Sequence, residues 1–181
     1  MLSLFALIVL LIPMLIIAVI VKLTSPGSVL YKQERLGKDG VSFEIIKFRS
    51  MYADAENNGA KWSDGENDER ITPFGKFLQR TRMDELPQFA QILTGKMSLV
   101  GPRPERECFY EKFETYIHGF SERLKVKPGL TGLAQVPGGY DLRPEEKVVY
   151  DIEYIKKRSL WLDLKCILLT VRIIFSHNGA R

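Results

Sequence analysis

Cysteine and histidine are almost missing from this chain, which has two of each among 181 residues. Cys108 and Cys166 stand alone, which excludes a disulfide framework and a thiolate metal site and suits a reducing cytoplasm. His118 and His177 lack ligand partners at metal-site spacing. Internal repeats, a P-loop, a GxGxxG turn and a Ser-His-Asp constellation are also missing, which removes the familiar nucleotide-fold and acyl-transfer signatures. No DNA- or RNA-binding motif is present, so nucleic acid is not an expected partner. The net charge of +4 is read instead as suiting an anionic membrane surface or phosphorylated ligands.

Charge is absent altogether from "MLSLFALIVLLIPMLIIAVIV", residues 1–21. At about 1.5 Å per residue a helix of this length crosses a hydrocarbon layer of roughly 30 Å. A secretory signal is disfavoured by the missing basic n-region, the length of the apolar run and the poor cleavage site in "KLTSPGS". Pro13 removes a helix hydrogen bond near the middle and divides the run into halves of roughly 18 and 12 Å. Composition leaves two topologies open, a kinked spanning helix and a re-entrant hairpin with both ends on one face. The remaining chain is enough for one core, so the expected organisation is a membrane helix at residues 1–22 and a catalytic domain at residues 23–181. Its class is expected to be α+β, mostly helical and compact, with a short β-hairpin and interfacial amphipathic helices.

The hairpin is read from Val29–Gln33 and Ser42–Phe48 around a Lys38-Asp39-Gly40 turn. "YADAENNGAKWSDGENDER" is a polar surface loop, and its "DGE" at 64–66 is reminiscent of metal-holding carboxylates in glycosyltransferases. Thr72 and Pro73 start a helix with Phe74, Phe77 and Leu78 on one face. A second helix follows, with Leu86, Phe89, Ala90 and Leu93 at i, i+3, i+4 and i+7 and Gly95 ending it. Counting back makes Asp84 its N-cap and puts Pro87 in its first turn, where a missing N–H costs little. "KMSLVGPRPERE" is a short strand and a stiff corner, since Gly101 and Arg103 each precede a proline. Helices are expected over 105–125 and in "RPEEKVVYDIEYIKKR", with an extended piece in "KPGLTGLAQVPGG" between them. The closing "SLWLDLKCILLTVRIIF" has the composition of a helix at a membrane interface or one packed on the core.

An adjacent Asp84-Glu85 pair at a helix start has a bland explanation in capping and dipole complementarity. The cations around it point further: Arg80 and Arg82 precede it, Arg103 follows, and Lys47 and Arg49 end the "KFRSM" strand. A helix N-terminus ringed by guanidinium groups is a phosphate site. There Asp84 is expected to stay ionised, as a nucleophile or as a ligand for a hard cation. Two carboxylates with diphosphate oxygens are what Mg²⁺ prefers. Phosphoryl transfer to or from a membrane-borne substrate is the reaction these residues suggest.

The ordered stretches "SPGSVLYKQERLGKDGVSFEIIKFRSM", "RTRMDELPQFAQILTGKMSLVGPRP", "KPGLTGLAQV" and "SLWLDLK" closely resemble the bacterial sugar transferase family, the monotopic phosphoglycosyl transferases. The resemblance implies transfer of a sugar-1-phosphate from a UDP-sugar to undecaprenyl phosphate, releasing UMP and initiating polysaccharide or other glycoconjugate assembly. It implies Mg²⁺ as cofactor, held by Asp84 and Glu85, and a re-entrant helix broken at Pro13 in the cytoplasmic leaflet of the bacterial cell membrane. It places the covalent nucleophile on Asp84, with Glu85 sharing the metal or assisting proton movement. The Pro-Arg-Pro motif falls on Pro102, Arg103 and Pro104, and with Lys47, Arg49 and Arg80 these are the expected phosphate-binding residues. The expected partners are the UDP-sugar, the lipid phosphate and the anionic leaflet, with a homo-oligomer left open. Three departures stand out. Ile12 replaces the family's serine before the helix-breaking proline. "PGGYDL" stands where many members carry Gly-Arg. The basic segment usual before the membrane helix is absent, so the chain reads as the catalytic end of a longer member.

Overall fold

The computed structural model describes residues 2–55, 68–136 and 142–176. "DGE" at 64–66, most of "PGGYDL" and His177 lie outside them. The described chain is mixed helix and strand, with two short sheets and one apolar N-terminal helix.

Helix α1 (Leu2–Thr24) runs unbroken through Pro13. Among the described residues it is the helix long and apolar enough to cross a membrane. From Leu7 on, more than half of its residues are exposed, while Ile17 and Val21 sink into the body of the protein with Phe48 and Leu78, and Met14 and Ala18 pack beside them partly buried. A buried arginine fixes the end of α1 to the next element. Arg49 donates from Nη2 to the Ser25 carbonyl and Oγ, each at 2.7 Å, and from Nη1 to the Pro26 carbonyl at 2.7 Å.

Strands β1 (Leu30–Leu36) and β2 (Ser42–Phe48) form the expected antiparallel hairpin, in register from Leu30 opposite Phe48 to Leu36 opposite Ser42. Asp39 takes the left-handed conformation the tight turn requires, φ 57°. Thr72 caps α2 (Pro73–Thr81) by accepting from the Gly75 N–H at 2.9 Å, with Pro73 at the first helical position where its missing donor is harmless.

The second helix begins later than its periodicity suggests. Arg82 closes α2 in the left-handed region, φ 58°, and Met83–Glu85 form a single 3₁₀ turn. Helix α3 (Gln88–Leu93) starts only after Pro87. Asp84 is therefore not an N-cap, and the capping and helix-dipole explanation of the pair does not hold.

Strand β3 (Ser98–Val100) runs parallel to β4 (Gly129–Thr131), a pairing too short to show in hydrophobic spacing. Their backbones touch: a Cβ on Gly129 would lie 2.1 Å from the Gly101 nitrogen. The helix expected over 105–125 is two pieces, α4 (Glu107–Glu114) and a 3₁₀ segment at Phe120–Lys125, hinged at Gly119 with φ 83°. Helix α5 (Pro144–Lys157) and α6 (Leu160–Ser176) follow as read.

Among the described residues the core consists of three small clusters. Tyr110, Phe113 and Phe120 stack with Leu36 and Val148; Ile17 and Val21 join β2 and α2; Val100, Tyr154 and Cys166 tie α6 to β3. The site lies where β2, the 83–85 turn, the segment after β3 and α5 converge.

Candidate active site

Asp84 and Glu85 are both buried, an expensive place for two neighbouring carboxylates. What compensates them is an arrangement of cations. Arg103 Nη2 donates to Glu85 Oε1 at 2.6 Å. Burial would raise the Glu85 pKa, but Arg103 and Arg82, with that hydrogen bond, outweigh it and hold the carboxyl down at about 2. Asp84 goes the other way. Burial and the charge on Glu85 push it up to about 7 against the pull of Lys47, Arg103 and Arg82. Glu85, held by Arg103, is thus the more firmly ionised of the pair, while burial beside that charge raises Asp84 above the usual carboxylate range. Lys47, half-buried on β2, is itself lowered by burial while the Asp84 charge favours its protonated form. Its Nζ lies 5.6 Å from the centre of the Tyr31 ring.

Arg103 is presented by a backbone held at three successive carbonyls. The Pro102 carbonyl accepts from the Gly129 N–H at 2.9 Å, the Arg103 carbonyl from Arg123 Nη2 at 2.9 Å, and the Pro104 carbonyl from Arg35 Nη1 at 3.3 Å. With neither proline able to donate and the residue before each biased to extended conformations, the guanidinium reaches Glu85 from a rigid support. Arg123 is itself fully buried. Its Nε donates to Asp151 Oδ2 at 2.7 Å, and its guanidinium lies 4.6 Å from the Phe120 ring centre.

A small pocket opens beside the dyad's cations, lined by Arg82, Arg103, Arg123, Ala134, Gln135, Lys147 and Asp151. Two buried polar atoms of its lining, Arg123 Nη1 and Gln135 Oε1, have no hydrogen-bond partner.

The expected site residues separate accordingly. Asp84, Glu85, Arg103 and Lys47 are brought together, with Pro102 and Pro104 as the frame of Arg103. Arg49 is not among them, because its guanidinium is committed to Ser25 and Pro26 beneath the end of α1. Arg80 is exposed on α2, and of the two arginines before the dyad it is Arg82 that acts on it, alongside Arg103. Arg123, Gln135, Lys147 and Asp151 went unread as site residues. The signal for the last two is their i, i+4 spacing in "EEKVVYD", which puts a cation and a carboxylate on one face of α5.

Among the described residues no group of three or more His, Cys, Asp or Glu side chains could hold a metal ion. Mg²⁺ takes one or two carboxylates and fills its remaining positions with water and substrate phosphates. The hard oxygens of Asp84 and Glu85 fit that requirement.

Residues 1–177 match the family described as bacterial sugar transferase. The chain is 44% identical over 171 residues to the UDP-N-acetylgalactosamine-undecaprenyl-phosphate N-acetylgalactosaminephosphotransferase of Aeromonas hydrophila, covering 93% of this chain and 40% of that protein. It is 46% identical over 169 residues to the UDP-glucose:undecaprenyl-phosphate glucose-1-phosphate transferase of Escherichia coli K12, covering 91% and 36%. The enzyme of the same description from Klebsiella pneumoniae is 45% identical over 172 residues, covering 92% and 37%. The chain thus spans about two-fifths of the length of these curated relatives.

Proposed function

Because this chain belongs to the bacterial sugar transferase family, we propose that it transfers a sugar-1-phosphate from a UDP-sugar to undecaprenyl phosphate at the cytoplasmic face of the membrane. The observation that carries the reading is the buried Asp84-Glu85 pair with Arg103 on Glu85 and with Lys47 and Arg82 acting on Asp84. Only one carboxylate of the pair is held fully charged by an arginine, which leaves the other available for chemistry.

In this reading an Asp84 carboxylate oxygen forms a bond to the β-phosphorus of the UDP-sugar. The bond from that phosphorus to the bridging oxygen breaks, and UMP leaves with the electron pair. A phosphate oxygen of undecaprenyl phosphate then attacks the same phosphorus and releases the Asp84 carboxylate. Lys47, Arg82 and Arg103 balance charge on the phosphoryl oxygens during both steps. Asp84 and Glu85 would hold Mg²⁺, which would supply further charge neutralisation. Burial of the dyad keeps water from competing for the phosphorylated aspartate.

The test is the nucleotide product. The full chain incubated with UDP-sugars, undecaprenyl phosphate and Mg²⁺ is expected to release UMP, and release of UDP would instead indicate an ordinary glycosyltransferase. Asp84→Asn should lower UMP release by about three orders of magnitude or more. Undiminished turnover in that variant would remove Asp84 as nucleophile.

A further inference from the structure

Gln88 is 1% exposed, and neither Nε2 nor Oε1 of its side chain has a hydrogen-bond partner. A buried primary amide with all its polar atoms unsatisfied is rare in folded proteins and demands a reason. Gln91, less than one turn further on, shows the ordinary solution: its Oε1 accepts from the Ile46 N–H at 3.0 Å and its Nε2 donates to the Glu44 carbonyl.

The direction of Gln88 follows from helical phase. Met83–Glu85 are helical, Leu86 and Pro87 hold right-handed helical angles, and α3 continues from Gln88. Counting about 120° per residue through the 3₁₀ turn and about 100° thereafter, Asp84, Gln88 and Gln91 fall within roughly 80° of one another. Met83 and Leu86 fall on the opposite side, where they pack with Ile17, Val21 and Phe48. Gln91 is anchored to β2, and Asp84 interacts with Lys47 of β2. Gln88 therefore lies between them along the chain on the same helical phase, one turn from Asp84, buried and unsatisfied.

We propose that Gln88 is a substrate-contacting residue of the transferase site, its Nε2–H donating to a non-bridging oxygen of the phosphoryl group that Asp84 attacks and then carries. The inference rests on the proposed phosphoryl transfer and adds to it an uncharged group from the stretch that also carries Asp84 and Glu85. The same phosphoryl group is present in both half-reactions, so the amide serves the UDP-sugar and the lipid phosphate alike.

Replacing Gln88 by methionine, of similar volume and without hydrogen-bonding demand, separates this role from a structural one. Removing an unsatisfied buried amide should leave the thermal midpoint unchanged or higher. The kcat for UMP release by the full chain should fall tenfold or more, with KM for the UDP-sugar within threefold. In the second half-reaction, discharge of isolated phospho-Asp84 protein to undecaprenyl phosphate should slow by a similar factor. A Gln88→Met protein that folds and keeps kcat within threefold of the wild type overturns the proposal. Should Gln88→Met fail to fold, the test passes to Gln88→Asn, which retains the amide one methylene shorter. Lowered kcat in that variant, with its fold intact, supports the role, and unchanged kcat overturns it. Absence of UMP release by the wild-type chain would be a failure of the transferase reading itself, distinguishable because it precedes any substitution.

Discussion

The side chains that matter most here are defined by what they are denied. Asp84 lacks the water that would keep it ionised, and its pKa of about 7 against an ordinary carboxylate near 4 has a signed consequence for stability. Between those values the unfolded chain has released a proton that the native state retains, so the Asp84 contribution falls as pH rises through that window. Asp84→Asn should accordingly stabilise the fold at pH 8 and have little effect at pH 4, read from thermal midpoints at the two values. Arg123 and Asp151 are the opposite case, a buried pair in which each partner depends on the other. Asp151→Ala strands a buried guanidinium and should cost about 3–5 kcal/mol in chemical denaturation, because the Arg123 charge is left uncompensated. The carboxylate pair, Arg103 and Lys47 were legible in the sequence because their spacing and flanking prolines say something about geometry. Arg49 was not, since it lies one residue past the end of β2 at Phe48 and is freed from the strand alternation that governs Lys47. The ionisation of Asp84 was not legible either: the sequence shows how many cations are near but not how little water is.

At the scale of elements, the hairpin, α2, α5 and α6 could be read because caps, turns and periodicity act locally. The start of α3 could not, because the left-handed Arg82 ends α2 so late that only a 3₁₀ turn fits before Pro87. The two pieces β3 and β4 were each read as extended, but their pairing was hidden, since three-residue strands joined across 28 intervening positions leave no periodic trace of one another. That pair nevertheless sets the position of the Pro-Arg-Pro segment. Gly129→Ala would drive a methyl into the Gly101 nitrogen and should cost about 1–3 kcal/mol, with UMP release falling as Arg103 loses its backing. Thermal denaturation and turnover of the same preparation check both effects.

For the whole molecule, two helices present apolar surfaces that the body of the protein does not cover. Ile8, Ile12, Leu15, Ile16 and Val19 are exposed along α1, and Leu160, Trp161, Leu164 and Leu168 along α6. Trp161 is 77% exposed, so its fluorescence should shift to the blue and be quenched by brominated acyl chains when the protein meets anionic vesicles. A re-entrant α1 further requires cysteines introduced at Ser3 and Lys22 to be labelled from the same, cytoplasmic side, and opposite-side labelling would refute that topology. The grip of Arg49 on Ser25 and Pro26 then acquires a different meaning. It ties the end of α1 to the hairpin that carries Lys47, so an α1 lying in the bilayer would act as a depth gauge. In the proposed transferase the altitude of Asp84 above the headgroups would then be set by how far α1 sinks, and a lipid phosphate confined to that plane would meet the aspartate without the protein having to reach for it.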